Sequence, residues 1–253
     1  MSVWARPADL PQTETGQVTK SFHFRSLGAV PSWLRTGIAA LSLAGVLAGC
    51  QTVGTYHPAL VAGLDFGPDM YTARIDEDFE LPAIRTGGTP RQFQRQVVRY
   101  ETEEKPGTLI VDTPNKFLYL VLPRGKAIRY GIGVGKAGFS WSGSAKVAWK
   151  QKWPKWTPPK EMIQRQPRLA KYEDGMDPGL DNPLGARALY IFEDGKDTLY
   201  RIHGTNQQNS IGRAVSSGCI RLWNQDVIDL YNRVQPGAKI VVIPDPRTHL
   251  AQG

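Results

Sequence analysis

Short β-type runs separated by turn residues fill the chain from residue 107 onward and limit the folds that it can adopt. These runs are rich in β-branched and aromatic residues, and Gly, Pro, Asn and Asp interrupt them. They cover residues 108–112, 117–122, 127–135, 145–149, 188–192, 198–203 and 239–243, and a further short strand at 96–100 is expected to dock on them. Many short strands with few helices predict a mainly β domain, built as a sandwich or a barrel-like sheet.

Two short helices are predicted among the strands. The first covers residues 160–166 and follows two prolines, which suit the start of a helix. The second covers residues 225–234, with Asn224 as its N-cap and Asp226 in its first turn. The apolar side chains at helical spacing in the second helix are Val227, Leu230, Tyr231 and Val234. They lie on one face, as in a helix that packs against a core.

A cysteine in a glycine-lined turn, with a histidine upstream at a strand end, points to chemistry. The turn is Ser216-Ser217-Gly218-Cys219-Ile220-Arg221, and the upstream segment is His203-Gly204-Thr205. A cysteine attacks as the thiolate, so it needs a base or a positive field that lowers its pKa, and His203 is the candidate base. Amides around Gly218 are candidates for binding an oxyanion. Lone cysteines and histidines are commonly structural, but this combination favours a catalytic pair.

These motifs resemble those of the L,D-transpeptidases of the YkuD type, which remodel bacterial peptidoglycan. Segments 182–185, 111–112 and 224–231 are also similar to the family, so the resemblance spans about residues 100–245. It implies a β-rich catalytic fold, Cys219 as nucleophile, His203 as base, and the Gly204 carbonyl as the group that orients the imidazole. Ser216, Ser217, Gly218 and Arg221 are assigned to the substrate and oxyanion side. Many members carry histidine in place of Ser217, so Ser217 is given no role in proton transfer.

The resemblance also implies a reaction. Cys219 would attack a peptidoglycan tetrapeptide stem, expel D-alanine and form a thioester. An amine of a second stem would then give a 3–3 cross-link, an amine of an envelope protein would tether that protein to the wall, and carbapenems would acylate the thiol. Two alternatives remain: a cysteine hydrolase of the L,D-carboxypeptidase type, and a wall-anchoring lipoprotein without catalysis. No cofactor or metal is expected, because Cys219 and His203 lack the three or four clustered ligands of a zinc site.

The first fifty residues are predicted to be a signal peptide of the lipoprotein type. Arg35 precedes a small, apolar run at 36–48, too short for a membrane span of about 20 residues. The run ends in Leu47-Ala48-Gly49-Cys50, which resembles a lipobox, so Cys50 is expected to carry lipid. An ordinary signal peptide cut near Ala48 is the alternative. Either interpretation predicts a periplasmic or cell-envelope protein, and the lipobox predicts one anchored to a membrane.

Four parts of the chain are therefore distinguished. They are the signal peptide at 1–50, an irregular spacer rich in Pro and Gly at 51–106, the catalytic domain at 107–245 and a tail at 246–253. In the catalytic domain, the segment from Trp149 to Trp156 combines three tryptophans with three lysines. It is either a loop that covers the edge of the core or a groove wall for glycan or peptide. Nucleic acid is not an expected partner, because the net charge is a moderate +8 without a dense basic run.

Overall fold

The computed structural model describes residues 57–135, 143–216 and 218–243. In chain order the strands are β1 (Arg74–Asp76), β2 (Phe79–Leu81), β3 (Gln96–Arg99), β4 (Leu109–Asp112), β5 (Phe117–Leu122), β6 (Lys126–Gly131), β7 (Val134–Gly135), β8 (Gly143–Lys152), β9 (Arg187–Glu193), β10 (Lys196–His203), β11 (Ala214–Ser216), β12 (Ile220–Arg221) and β13 (Lys239–Ile243). The α-helices are α1 (Lys160–Arg165) and α2 (Asn224–Arg233). Short 3₁₀ turns cover Pro58–Leu60, Pro68–Tyr71, Thr86–Gly88, Arg91–Phe93, Pro167–Tyr172 and Gln208–Ser210.

Nine strands form one sheet in the order β12-β10-β9-β8-β13-β4-β5-β6-β3. β12 runs parallel to β10, β13 runs parallel to β4, and the remaining neighbours are antiparallel. Arg221 of the edge strand β12 exchanges two backbone hydrogen bonds of 2.9 Å with Gly133, which follows β6. The sheet therefore curves so strongly that the edge strand β12 reaches the segment that follows β6, near the opposite edge of the sheet. The predicted mainly β, barrel-like fold with one or two short helices is confirmed.

The largest apolar cluster lies between the sheet and α2. Fully buried side chains from the sheet include Leu109, Leu118, Leu120, Ile128, Leu189, Ile191 and Ile202, all 0% exposed. From α2, Val227 and Leu230 join them at 0% exposure. Burying a leucine of this kind stabilises the fold by about 2 kcal/mol. The apolar face that the sequence predicts for this helix is thus the face that covers the core.

The start of α2 differs from the prediction in a way that matters for the site. Its N-cap is Trp223, which makes no side-chain capping bond. Asn224 is already the first helical residue, and its Oδ1 accepts a 3.0 Å hydrogen bond from the backbone N–H of Ala186. The predicted N-cap role of Asn224 is wrong, because this side chain ties the helix to the segment that leads into β9.

The predicted spacer packs on the catalytic domain instead of extending from it, as far as residues 57–106 are concerned. Leu60, Tyr71 and Leu81 are 4%, 6% and 0% exposed. The Tyr71 ring meets Trp223 edge-on at 5.0 Å between centroids, and β3 forms the last strand of the large sheet. The segment is poor in long periodic elements, as predicted. Single apolar side chains in irregular backbone give no periodic pattern, so this packing could not be predicted from the sequence.

Buried charges also hold this segment, in a cluster that we call the polar junction: Tyr71, Arg95, Tyr130, Asp226, Asp229 and Arg233. Arg233 donates to Asp229 through Nε and Nη2, both at 2.9 Å, and through Nη1 to the Ala62 carbonyl at 2.6 Å. Tyr130 donates its hydroxyl to Asp229 at 2.6 Å. Arg95 lies 3.5 Å from both Asp226 and Asp229. The junction therefore joins residues 57–95 to α2.

The helices and the 149–156 segment bear on possible membrane and substrate contacts. Within the described ranges, no helix combines the length and apolar character needed to cross a bilayer. In the 149–156 segment, Trp153 is 6% exposed and donates to Asp76 at 2.9 Å, and Lys150 donates to the carbonyls of Tyr231 and Val234 at 2.6 and 2.7 Å. Trp153 therefore packs at the edge of the core, whereas Trp149, with 43% of its surface exposed, Gln151, Lys152 and Lys155 face solvent.

Candidate active site

The two predicted reactive residues come together through the pairing of β10 with β12. Ile202 is the register partner of Ile220, and His203 is the partner of Arg221. The N–H of Leu222 then donates to the His203 carbonyl at 2.9 Å, which continues the parallel ladder. His203 thus ends its strand, and Cys219 immediately precedes the neighbouring one. We call Arg201, His203, Cys219 and Arg221 the reactive edge.

His203 is buried and has a defined orientation. It is 4% exposed, and its Nδ1 lies 2.6 Å from the carbonyl oxygen of Gly204. A carbonyl only accepts hydrogen bonds, so Nδ1 carries the proton and Nε2 is left to act as base. Burial lowers the pKa of His203 to about 4, and the positive charge of Arg221 adds to this, whereas the carbonyls of Gly204 and Pro183 oppose it. The imidazole is therefore neutral near pH 7.

Cys219 is intermediate in exposure, and its thiol is also neutral at rest. Burial of the sulfur raises the pKa of Cys219. The backbone N–H of Arg201 and the charges of Arg201 and Arg221 act in the opposite direction without reversing the shift. The positive field that the sequence calls for is present, but desolvation outweighs it. The resting site is a thiol beside a neutral base, and not a preformed thiolate with an imidazolium.

Two glycines, Gly218 and Gly204, allow backbone conformations and close contacts around His203 and Cys219 that other residues would not permit. Gly218 has a φ of 139°, a conformation that residues with a side chain rarely adopt. At Gly204, an added Cβ would collide with Oδ1 of Asn224 and lie 3.1 Å from the Ala186 nitrogen. The start of α2 is therefore packed directly against Gly204, whose carbonyl orients His203. Asn224 has a supporting place at the site that its predicted capping role did not indicate.

Arg221 connects the pair to an open cavity. Its Nη1 donates to Oε1 of Gln207 at 2.9 Å. Gln207 lines a cavity of about 720 Å³ together with Arg85 and Arg213, and no carboxylate from the described part of the chain lines it. Arg85 and Arg213 form no ion pair with the described residues. Cavities of about 470 and 500 Å³ elsewhere border Phe66 and Arg95 at the polar junction, away from the reactive edge.

The predicted site residues divide into those that the structure places and those that it does not. The structure places five of them around the short β10–β12 pair: His203 and Arg221 are register partners, Gly204 follows β10, and Gly218 and Cys219 precede β12. Ser217, the Ser216 side chain, Cys50, the signal peptide and the tail at 246–253 fall outside the described residues. Groups of three or more His, Cys, Asp or Glu that are able to hold a metal are absent from residues 57–135, 143–216 and 218–243.

Four neighbours of the pair were not predicted: Arg201, Gln207, Asn224 in its observed role, and the Pro183 carbonyl. Asn182 is 0% exposed and donates to the carbonyls of Pro154 and Asp177 at 3.0 and 3.1 Å, which fixes the loop that carries Pro183. A signal was available for Asn182, in the 182–185 segment. The sequence did not predict that β10 pairs with a two-residue strand. The position of Arg201 near Cys219 could therefore not be predicted either.

The fold and the site together define a class of protein: a mainly β domain with a cysteine and a histidine at one edge of its sheet. The family model for the L,D-transpeptidase catalytic domain, YkuD, matches residues 106–243. The probable L,D-transpeptidase YbiS of Escherichia coli is 33% identical over 183 residues, which cover 70% of this chain. The probable L,D-transpeptidase ErfK/SrfK of the same organism is 32% identical over 187 residues, again 70% of this chain. The chain belongs to the L,D-transpeptidase family.

The relatives are longer than the region they share with this chain. The chain spans 56% of the length of each of these two proteins, so their activity as whole proteins is carried over only as a proposal. A crystal structure from Brucella melitensis, described as a probable carnitine operon oxidoreductase, is 46% identical and covers 63% of this chain and 99% of its own. Its TM-score is 0.44, and this likeness carries no conclusion about function.

Proposed function

We propose that this protein transfers peptidoglycan stem peptides through a thioester on Cys219. The observation that carries the proposal is the juxtaposition of Cys219 with a buried, neutral and oriented His203 in a member of this family. A neutral base beside a neutral thiol suits general-base activation, in which the thiol loses its proton as it attacks.

In the proposed reaction, His203 carries the proton in each step. Sγ of Cys219 attacks the carbonyl carbon at the L-stereocentre of the stem's diamino acid, and the thiol proton passes to Nε2 of His203. The carbon–nitrogen bond breaks, D-alanine leaves as the amine, and it takes that proton from His203. An acceptor amine then attacks the thioester and gives a proton to His203, which returns it to the departing sulfur. The amides next to Gly218 are the proposed oxyanion donors.

The acceptor decides which product forms. A side-chain amine of a second stem gives a 3–3 cross-link, and an amine of an envelope protein gives a protein attached to the wall. The cavity with Arg85, Gln207 and Arg213 supports binding of an anionic stem, because two arginines that form no ion pair with any described residue line it and Gln207 contacts Arg221. Water as acceptor would make the enzyme a carboxypeptidase.

Covalent capture of the thiol is the direct test. Incubation with a carbapenem is expected to raise the intact mass by one acyl group in the wild-type chain and to leave the Cys219→Ala variant unchanged. Purified muropeptides, with and without an added acceptor amine, then separate the products. Dimers that depend on the amine identify a transpeptidase, tripeptides alone identify a hydrolase, and absence of both adduct and product identifies a non-catalytic protein and contradicts the proposal.

We also propose that the protein is exported to the cell envelope and anchored by lipid on Cys50. The support is in the sequence alone, namely Arg35, the apolar run at 36–48 and the Leu47–Cys50 ending. Labelled palmitate is expected to enter the wild-type chain and not the Cys50→Ala variant, which should move from the membrane to the soluble fraction. Membrane association that persists in the unlabelled variant would contradict the anchor.

A further inference from the structure

β10 contains an irregular stretch just before its reactive end. Asp197 pairs with Phe192 of β9 and Arg201 pairs with Tyr190, so residues 198–200 stand opposite one residue of β9. Leu199, in the middle of this bulge, has a φ of 63° and is 77% exposed. A left-handed leucine is strained, and bulges beside active sites commonly redirect a side chain.

The bulge creates an ion pair that a regular strand does not permit. Residues four apart in a regular strand are about 13 Å apart. Here Nη1 and Nη2 of Arg201 donate to Oδ1 and Oδ2 of Asp197, both at 2.7 Å. Burial raises the pKa of Asp197, but hydrogen bonds from Arg201 and the Leu199 amide outweigh burial and leave it lowered, so the carboxylate is ionised. The guanidinium therefore has a fixed, charged partner.

Two more contacts hold the guanidinium of Arg201. It lies over the Tyr190 ring at 4.4 Å from the centroid, and that ring stacks on Trp149 at 3.5 Å and 11°. Nη1 also donates to the Tyr200 carbonyl at 2.9 Å. Arginine stacked on an aromatic ring and paired through both nitrogens has little rotamer freedom.

This fixed arginine stands beside the reactive sulfur. Since Ile202 pairs with Ile220, extending the register by one residue places Arg201 opposite Cys219. Its backbone N–H donates to the thiol, and its charge acts on the sulfur more strongly than that of Arg221. Among the described residues, the ionisable groups on the strands around this sulfur are Lys196, Asp197, Tyr200, Arg201 and His203 of β10, Arg221 of β12, and Arg187, Tyr190 and Glu193 of the adjoining β9.

We propose that Arg201 is a positioning residue for the Cys219 thiol, held by the β10 bulge, Asp197 and the Tyr190–Trp149 stack, so that its amide and its charge favour the attacking form of the sulfur. Asp197 partly offsets that charge and so limits its effect. The inference rests on the proposed function only in taking Cys219 as the reacting group.

Alkylation of Cys219 by iodoacetamide, measured against pH, tests the inference without any peptidoglycan substrate. Trypsin releases residues 214–221, in which Cys219 is the only thiol, so mass spectrometry follows this cysteine separately from Cys50. In Arg201→Gln the alkylation midpoint is expected to rise by about half to one pH unit, because a neighbouring positive charge is lost. Arg201→Lys, which keeps the charge, is expected to rise less.

Asp197→Asn is the variant of opposite sign. It leaves the Tyr190 stack and the Tyr200 carbonyl in place, and removes the charge that offsets Arg201, so the midpoint is expected to fall. Arg124→Gln, an exposed arginine in the β5–β6 turn, is the matched control and should not move it. The proposal is overturned if folded Arg201→Gln titrates like wild type, if Arg201→Lys rises as far as Arg201→Gln, or if Asp197→Asn does not fall. If Arg201→Gln fails to fold, the direction seen in Asp197→Asn decides.

Discussion

The reactive edge and the polar junction are both built from buried ionisable side chains, and they differ in how those side chains are partnered. At the junction, Arg233 donates to Asp229 and to the backbone carbonyls of Ala62 and Gly63. At the reactive edge, Nδ1 of His203 lies 2.6 Å from the Gly204 carbonyl, and burial lowers the pKa of the imidazole. The charged groups of the junction are paired with opposite charges, whereas the imidazole of His203 is neutral and, among the described residues, has only backbone carbonyls as hydrogen-bond partners.

The difference also shows which substitutions should affect activity and which should affect stability. Removing a partner at the junction leaves a buried charge uncompensated, which destabilises the fold. In the proposed mechanism, removing His203 takes away the proton carrier but leaves Gly204, Gly218 and Asn224, which shape the backbone around it.

His203→Gln is expected to lower the rate of Cys219 acylation by about 10² to 10⁴-fold while leaving the melting temperature nearly unchanged. The base works in its neutral form. Because burial lowers the pKa of His203 to about 4, wild-type acylation should fall only as the pH drops through about 4 and stay flat between pH 5 and 7. Stopped-flow measurement of acylation against pH checks both points. An acid limb near pH 6.5 would contradict the buried neutral imidazole.

Arg233→Met is expected to reduce the free energy of unfolding by about 3 kcal/mol, because Asp229 loses its paired charge in a buried setting. Urea titration measures the change. The acylation rate at 20 °C, in conditions where the variant is folded, should stay near the wild-type value. Arg124→Gln, an exposed control, should leave stability unchanged. Loss of acylation in folded Arg233→Met would show that the junction and the reactive edge are coupled.

Substituting the arginines at the open cavity is expected to affect substrate binding and not the stability of the fold. Arg85→Gln and Arg213→Gln should each raise KM for an anionic stem peptide by roughly 5-fold, since exposed charge pairs are worth about 1 kcal/mol or less. Their melting temperatures should match wild type, because neither forms an ion pair with the described residues. A stem peptide with amidated carboxylates is the control substrate, and an equal KM effect on it would exclude carboxylate recognition.

The fold class could be predicted because strand runs and turn residues are local signals. The runs at 117–122 and 239–243 agree with β5 and β13 to the residue. The run at 127–135 did not, because Gly133 bonds sideways to Arg221 and separates β6 from β7. β12 is two residues long and depends wholly on its partner β10. The docking of the strand at 96–100 was predicted and is seen in β3, whereas the packing of residues 57–95 was missed because it uses single side chains such as Leu81 and Arg95 in irregular backbone.

The candidate site was predictable where the residue type itself carries the chemistry, as for Cys219 and His203, whose catalytic roles stay a prediction. The site was not predictable where the role of a residue depends on a contact between segments that are far apart in the sequence. Arg201 reaches its place through a bulge and a strand pairing, and Asn224 contacts Gly204 across the fold. The protonation states were also beyond the sequence, because burial decides them and outweighs the nearby arginines at Cys219.

The smallest predicted effect concerns Asp226, where the junction itself has a titrating group. Burial raises the pKa of Asp226 from 3.8 to about 7, with Asp229 adding to the shift, and Arg95 and Tyr71 opposing it. The native state then keeps a proton that the unfolded chain releases, so this residue lowers the free energy of unfolding as the pH rises from about 4 to about 7. Asp226→Asn should remove that contribution and leave the variant relatively more stable at pH 7 than at pH 4, by on the order of 1 kcal/mol. Urea titrations of both proteins at pH 4.5 and 7.5 measure the difference. An equal effect at both pH values would mean that Arg95 keeps Asp226 ionised, and that the junction, unlike the reactive edge, holds its groups charged.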